Sequence, residues 1–373
     1  MSRRGAGSFL TLDDLAKSRT LGSKTPGHPE VHHTVGVEMS TGPLGQGVAS
    51  AVGMAMAARH ESAVFTPGSS LLDHTTWVLA GDGCLQEGVS GEASSLAGTL
   101  GLDNLVLIWD DNAITIDSGT DETFSEDVRA RYRAYGWRVL EIDTPTDLDA
   151  LEATLREAAE RTARPTLLAL RTVIGAPSAK FGGTSAAHSG GFGADELALV
   201  KATLGFAPDA PLHDHVSRET LEHTREALTR GDRMHTAWEA DLAAWGTREP
   251  EAATRWQAFR GGEVSTAALD TVKLGEPGDL IATRKTNGAV LRAFQTLLSG
   301  AARPISPAPP PWRSTATGSP PPTRPASSSA SEFASTPWPR SSTASRCRAH
   351  GARSPRPTWC SVTTCARASA SVP

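Results

Sequence analysis

Two short apolar runs, each broken off by a polar turn, constrain this chain more than any other feature. Residues 75–80 (TTWVLA) run into Gly81-Asp82-Gly83, and residues 104–109 (NLVLIW) run into Asp110-Asp111-Asn112. Apolar runs of that length, bounded by Gly, Asp and Asn, read as buried strands. Helical patterns surround them. Residues 44–60 (LGQGVASAVGMAMAARH) are small and apolar with almost no charge, residues 88–100 are rich in small residues, and residues 146–161 are amphipathic. Further strands are expected at 137–142 and 166–173 (TLLALRTV). Strands alternating with helices predict an α/β domain with a mostly parallel sheet. In such sheets ligands sit at the carboxyl ends of the strands, which is where both polar turns fall.

The rest of the chain is less regular. Residues 174–193 (IGAPSAKFGGTSAAHSGGFG) form a long Gly/Ser/Ala loop, of a length that is usually functional or disordered inside a compact domain. Residues 216–246 read as a polar helix, 247–282 as a connector, and 283–298 (TRKTNGAVLRAFQTLL) as a helix that restarts the pattern. Near residue 300 the pattern stops. Residues 301–373 hold 14 Pro, 15 Ser, 13 Ala and 9 Arg, with no Leu, no Lys and no Asp. Nine arginines against the single acid Glu332 give that stretch +8, which leaves −13 of the total −5 on residues 1–300. So few large aliphatics cannot offset the entropy cost of folding, so this tail is expected to be disordered. A GC-rich coding sequence read in a shifted frame has this composition, so frameshifted translation is one expectation for the tail. A polyproline II ligand built on Pro309-Pro310-Pro311-Trp312 is the other.

Several classes are excluded. No run of about 18 apolar residues exists, so no transmembrane helix is expected and no membrane partner. Met1-Ser2-Arg3-Arg4-Gly5 is followed by no apolar region, so no secretory signal is expected. The acidic body argues against nucleic acid as a partner. Three of the four cysteines (Cys347, Cys360, Cys365) lie in the tail, and Cys84 alone is left in the body. That implies no disulfide framework and a reducing, cytoplasmic setting.

Asp82 and Asn112 stand thirty positions apart, each just past a strand. The physical reading is a magnesium-bound diphosphate site. Mg²⁺ takes octahedral oxygen ligands, typically one or two carboxylates plus phosphate oxygens. Asp82 offers a carboxylate, Asn112 an amide oxygen, and a backbone carbonyl just past Asn112 a third oxygen. Gly81 and Gly83 allow close approach of backbone to phosphate, and the helix that follows would aim N–H groups at the diphosphate. A Gly-Asp-Gly turn alone is common. Its pairing with a second strand ending in Asp-Asn is what makes it specific.

On these residues the chain resembles the transketolases. The resemblance runs through 82–117 (DGCLQEGVSGEASSLAGTLGLDNLVLIWDDNAITID), Thr25-Pro26-Gly27-His28-Pro29-Glu30, the stretch from Gly36 to Gly47, and Tyr132-Arg133-Ala134-Tyr135-Gly136-Trp137. It implies a three-layer α/β sandwich, thiamine diphosphate and Mg²⁺ (or Ca²⁺) as cofactors, sugar phosphates as substrates, and a homodimer. It implies transfer of a two-carbon ketol unit from a ketose phosphate to an aldose phosphate in the pentose phosphate pathway. Residue by residue, it implies Asp82, Asn112 and the Ile114 carbonyl as metal ligands, Gly83 at the diphosphate, and Gly42 and Leu44 at the aminopyrimidine. His28 would line the substrate channel and His188 would lie near diphosphate and substrate, both as catalytic groups. Arg284 would bind the sugar phosphate, and Glu87 and Glu92 would lie at the subunit interface. The family's two histidines three apart stand here as Ser185 and His188, a departure from the pattern.

The resemblance also divides the chain. Residues 1–19 are an atypical start, 20–246 the diphosphate domain, 247–282 the connector, 283–300 the opening of a truncated pyrimidine-binding domain, and 301–373 the tail. The family carries further active-site histidines before the matched region and an activating glutamate in the second domain. Their absence leads to the expectation that this chain is impaired. A split subunit that borrows its second domain, a non-catalytic remnant, and a dihydroxyacetone synthase remain as alternatives.

Overall fold

The computed structural model describes residues 10–298 except 35, 144–145, 190, 212–214, 262–271 and 273–277. The expectations for residues 1–9 and for the tail at 301–373 lie outside the described residues. Four strands form one sheet: β1 (Thr76–Gly81), β2 (Leu105–Asp111), β3 (Arg138–Ile142) and β4 (Thr166–Arg171), in the order β1-β2-β4-β3. Every pairing is parallel, with Gly81 beside Asp110 and Asp111 beside Arg171. The all-apolar start of β2 is what a strand flanked on both sides and covered on both faces requires.

The helices are α1 (Leu12–Ala16), α2 (Gln46–Phe65), α3 (Asp82–Gln86), α4 (Gly88–Leu100), α5 (Val128–Ala134) and α6 (Leu148–Ala158). After β4 come α7 (Ala186–Ser189), α8 (Gly193–Thr203), α9 (Arg218–Arg248), α10 (Pro250–Gly261) and α11 (Thr283–Leu298). Local chemistry sets several starts. The side chains of Asp127, Asp147 and Ser217 each accept a backbone N–H three residues on, capping α5, α6 and α9.

Chain direction decides the layers. The steps β1 to β2 and β2 to β3 cross the sheet one way, and β3 to β4 brings the chain back. Right-handed crossovers therefore place α4 and α5 on one face and α6 on the other. Burial agrees. Val78, Ala80, Leu105, Leu107, Trp109, Leu167 and Ala169 share one face and form the main core with Val48, Ala51, Val52 and Ala55 of α2, Ala97 of α4 and Tyr132 of α5. Fully burying one such Leu or Val contributes roughly 1.5–3 kcal/mol. On the opposite face Ile142, Leu168 and Ala158 are buried, and Arg138 donates to the carbonyls of Glu157 and Glu160 at the end of α6. This is the α/β three-layer sandwich expected.

A second, smaller core joins α9 and α10 to the end of α2. Phe65, Leu72 and Trp245 are buried there, with Trp238 and Trp256 packed against them. Trp238 Nε1 donates to the Leu71 carbonyl at 2.8 Å, and Trp256 Nε1 to Glu61 at 2.6 Å. Within the stretch read as a connector, residues 250–261 thus fold as a helix that packs on this body.

Candidate functional site

The parallel register brings the ends of β1 and β2 side by side, and the two polar turns meet there. Asp82, only 5% exposed, is the first residue of α3. Its Oδ2 accepts the backbone N–H groups of Asn112 at 3.1 Å and Ala113 at 2.9 Å, and its Oδ1 accepts Trp109 Nε1 at 3.1 Å. Successive N–H groups converge because Ala113 takes a left-handed conformation, φ 61. That costs an alanine roughly 1–2 kcal/mol, offset by its bond to the carboxylate.

Burial pushes the Asp82 carboxyl up to about 6; the N–H donors pull it back and the negative charge of Asp111 adds to the rise. A buried carboxylate of this kind is suited to a cation. Asn112 is oriented by its neighbours: Nδ2 donates to Asp110 Oδ2 at 3.2 Å, and Oδ1 accepts the N–H of Ile114 at 3.0 Å. Ile114 is held in turn by a bridge to Gly119. One carboxylate, one amide oxygen and the carbonyls of this turn form a hard-oxygen donor set, which fits Mg²⁺ or Ca²⁺ and not a soft metal. Among the described residues no group of three His, Cys, Asp or Glu side chains is arranged to hold a metal. Cys84 is buried, and burial raises its thiol pKa, in keeping with packing rather than nucleophilic chemistry.

A loop from the N-terminal side closes over this end of the sheet. The N–H of Thr41 donates to the Pro29 carbonyl at 3.1 Å, and the N–H of Val31 to Ser40 Oγ at 3.0 Å. Gly42, at φ +145, lies against His28: a Cβ there would stand 3.1 Å from the imidazole Cγ. Leu44 reaches Gly83, where a Cβ would stand 3.3 Å from Leu44 Cδ1. His28, Gly42, Leu44, Gly83, Asp82, Asn112 and Ile114, drawn from three parts of the chain, are thereby linked at one end of the sheet.

The remaining expected residues are placed differently. His188 is half-buried on α7, in the segment that leaves β4 beside the end of β2. That segment is pinned: Ser178 Oγ donates to the buried Glu196 of α8 at 2.5 Å, and Phe181 stacks on Phe192 with centroids 5.3 Å apart. Glu87, the N-cap of α4, and Glu92 within that helix are both exposed. Arg284 is exposed on the first turn of α11 and forms no hydrogen bond or ion pair with the described residues. The helix directly after Gly81 is the five-residue α3, which begins at Asp82, and the helix expected at 88–100 follows it as α4 with those bounds.

Trp109, Ala113 and a charged bracket around Asp111 are the additions from structure. Asp111 accepts Arg129 at 2.8 Å and Arg171 at 2.9 Å, and Arg129 also pairs with Glu141 at 3.1 Å. Burial works against the Arg129 charge, but these acids more than compensate and hold its pKa above the usual arginine value. A buried tryptophan needs a partner for its N–H, the one signal that could have marked Trp109 in the sequence.

An α/β domain with an acid–amide pair at the ends of adjacent parallel strands belongs to a recognisable class. The family model described as "Transketolase, thiamine diphosphate binding domain" matches residues 4–264, which makes the class a thiamine diphosphate-binding domain. Among curated proteins, the transketolase of Mycobacterium tuberculosis is 44% identical over 293 residues, covering 77% of this chain and 42% of that protein. The transketolase of Nostoc is 38% identical, over 78% of this chain and 43% of the relative. Among solved structures, a Pichia stipitis transketolase in complex with sedoheptulose-7-phosphate has a TM-score of 0.70 at 39% identity, covering 78% of this chain and 43% of that one. Transketolase from Leishmania mexicana also has a TM-score of 0.70, at 38% identity over 77% of this chain and 42% of its own. The chain belongs to the transketolase family, a family of transferases. It spans about two fifths of the length of the relatives it matches. Among the described residues no helix is long and apolar enough to cross a membrane.

Proposed function

We propose that this domain binds thiamine diphosphate through Mg²⁺ and serves the transfer of a two-carbon ketol unit between sugar phosphates. The observation that carries the proposal is the meeting of Asp82 with the Asn112–Ala113 backbone at 3.1 and 2.9 Å, at the carboxyl ends of β1 and β2. Asp82, the Asn112 amide oxygen and the Ile114 carbonyl would hold the cation. The bound cofactor supplies a carbanion equivalent that accepts and releases the two-carbon unit.

The chain's own residues do the rest. Gly83 keeps the backbone low where the diphosphate would lie, and Leu44 packs over it. Gly42, without a side chain, leaves room for the aminopyrimidine beside His28. The His28 imidazole exchanges the proton of a substrate hydroxyl, and His188 serves the same end from α7. Arg284 suits a sugar phosphate, since a guanidinium binds phosphate through two parallel N–H donors. Glu87 and Glu92 are exposed, as are the uncharged Gly53, Met54 and Ala57 of α2, the helix that packs on α4. We assign that surface to a homodimer interface. Among the described residues Cys84 is the one cysteine, buried and without a disulfide, which supports a reducing, cytoplasmic setting.

Calorimetry tests the binding step. Titrating thiamine diphosphate into the protein should give saturable heat with Mg²⁺ and little in a chelator. Asp82→Ala and Asn112→Ala should each weaken binding at least about tenfold, as loss of a metal ligand does. Equal binding with and without Mg²⁺, or in the Asp82→Ala protein, would refute the assignment.

A further inference from the structure

We infer that Trp109 is a positioning residue that orients the Asp82 oxygen offered to the cation, and that Arg129 holds Trp109 in place. The inference rests on the cofactor assignment proposed above and extends it to groups that touch neither metal nor cofactor. A carboxylate oxygen has two lone pairs. Both lone pairs of Asp82 Oδ2 are engaged, by the N–H groups of Asn112 and Ala113. Among the described residues Oδ1 accepts one hydrogen bond, from Trp109 Nε1 at 3.1 Å. Oδ1 is therefore the oxygen left to ligate, and the indole fixes the plane in which its second lone pair points.

The identity of the donor matters. An indole N–H donates only and carries no charge. It orients the carboxylate without neutralising it, so the negative charge stays available to a cation. A lysine or arginine in the same place would compete with the metal.

The ring itself is held from behind. Arg129 Cζ lies 5.0 Å from the centroid of the Trp109 ring. Its guanidinium is fixed by Asp111 at 2.8 Å and Glu141 at 3.1 Å. This also explains why Asp111, next to Asn112 in sequence, is not a ligand: one of its oxygens is taken by Arg129 and the other by Arg171. Asp110 is likewise engaged, by Asn112 Nδ2 and by the Thr172 hydroxyl. Asp111 is thus neutralised by two guanidinium groups, whereas Asp82 accepts only uncharged donors and keeps its negative charge for a cation.

The test compares wild type, Trp109→Phe, Trp109→His and Arg129→Gln. Mg²⁺ affinity is measured by calorimetry at fixed thiamine diphosphate, and the thermal midpoint of each protein without ligand is recorded. The indole ¹⁵N–H resonance of Trp109 is assigned by its loss in Trp109→Phe. Trp109→Phe keeps the ring and removes the donor, and should weaken Mg²⁺ binding roughly 10- to 100-fold, the usual cost of losing an outer-shell partner. Trp109→His, which restores a donor, should recover part of the loss, and Arg129→Gln should show a smaller loss. In wild type the Trp109 indole resonance should move on adding Mg²⁺ and in Asp82→Asn. A Trp109→Phe protein with wild-type Mg²⁺ affinity, or an indole resonance indifferent to both, overturns the inference. A lowered thermal midpoint with unchanged affinity marks a purely structural role and overturns it as well. Failure of the underlying cofactor assignment is distinguishable, because wild type itself would then show no Mg²⁺-dependent binding.

Discussion

Replacing Gly98 by alanine sets two effects of opposite sign against each other, and the structure says which wins. Gly98 lies inside α4, where alanine is worth about 1 kcal/mol more than glycine by helix propensity alone. A Cβ at this position, however, would lie 1.8 Å from the carbonyl oxygen of Tyr135 and 3.3 Å from Trp137 Cδ1. Carbon and oxygen normally approach no closer than about 3.3 Å, so the gap must open by about 1.5 Å. The obstacle is backbone and cannot swing aside. Its surroundings are fixed too, since Trp137 Nε1 donates to the Ser94 carbonyl at 2.8 Å and Tyr132 bonds Ser94 Oγ at 3.1 Å. Overpacking costs about 1–3 kcal/mol, and a backbone obstacle puts this site at or beyond the upper end. The net change is a loss of about 2 kcal/mol or more. At roughly 2–4 °C per kcal/mol for a domain of this size, the thermal midpoint should fall by about 4–8 °C. Gly231→Ala is the matched control: it sits inside α9 with nothing within 4 Å of a new Cβ. It should gain about 1 kcal/mol and roughly 2–4 °C. Urea titration at unchanged slope reads both differences directly. A Gly98→Ala protein stabilised as much as Gly231→Ala would refute the packing argument.

Two further outcomes follow from buried polar groups. Burial pushes the Tyr132 hydroxyl up from 10.0 to about 12, so the folded state keeps its proton where the unfolded state has lost it. Stability from this group is full below pH 10 and is lost as pH rises to 12, by on the order of 2–3 kcal/mol. Urea denaturation across that window should show a steeper loss for wild type than for Tyr132→Phe, and equal slopes would contradict the assignment. Glu196→Ala removes the acceptor of Ser178 Oγ and of the Lys180 N–H. Amide exchange across residues 178–189 should rise by about tenfold or more, the equivalent of one charged hydrogen bond, while exchange in β2 stays as it was. Unchanged protection in that segment would show that Glu196 does not hold it.

The strands, the parallel sheet and the Asp82–Asn112 pair were legible in the sequence. Each rests on a local pattern: apolar runs of strand length, small-residue helices, and turn residues just past the strands. The helix starts at Asp127, Asp147 and Ser217 have the same local origin. Other features had no local signature. Ala113 adopts a left-handed conformation that a sequence marks only when glycine occupies it. Trp109 looks like one more apolar residue at the end of β2. Residues 250–261 looked like linker because their helix is polar along much of its length, and Trp256 finds its partner Glu61 almost two hundred positions away.

The division has a physical cause. Periodicity and turn chemistry act over a few residues, so the sequence by itself determined the α/β class and the residue types of the site. Which oxygen of which acid stays available is decided by pairings across strands and helices. Arg129 and Arg171 take Asp111, Thr172 takes Asp110, and Trp109 and the Asn112–Ala113 turn hold Asp82. Three acids of the same kind in sequence become one candidate ligand and two structural braces only when the parallel sheet aligns the ends of its strands.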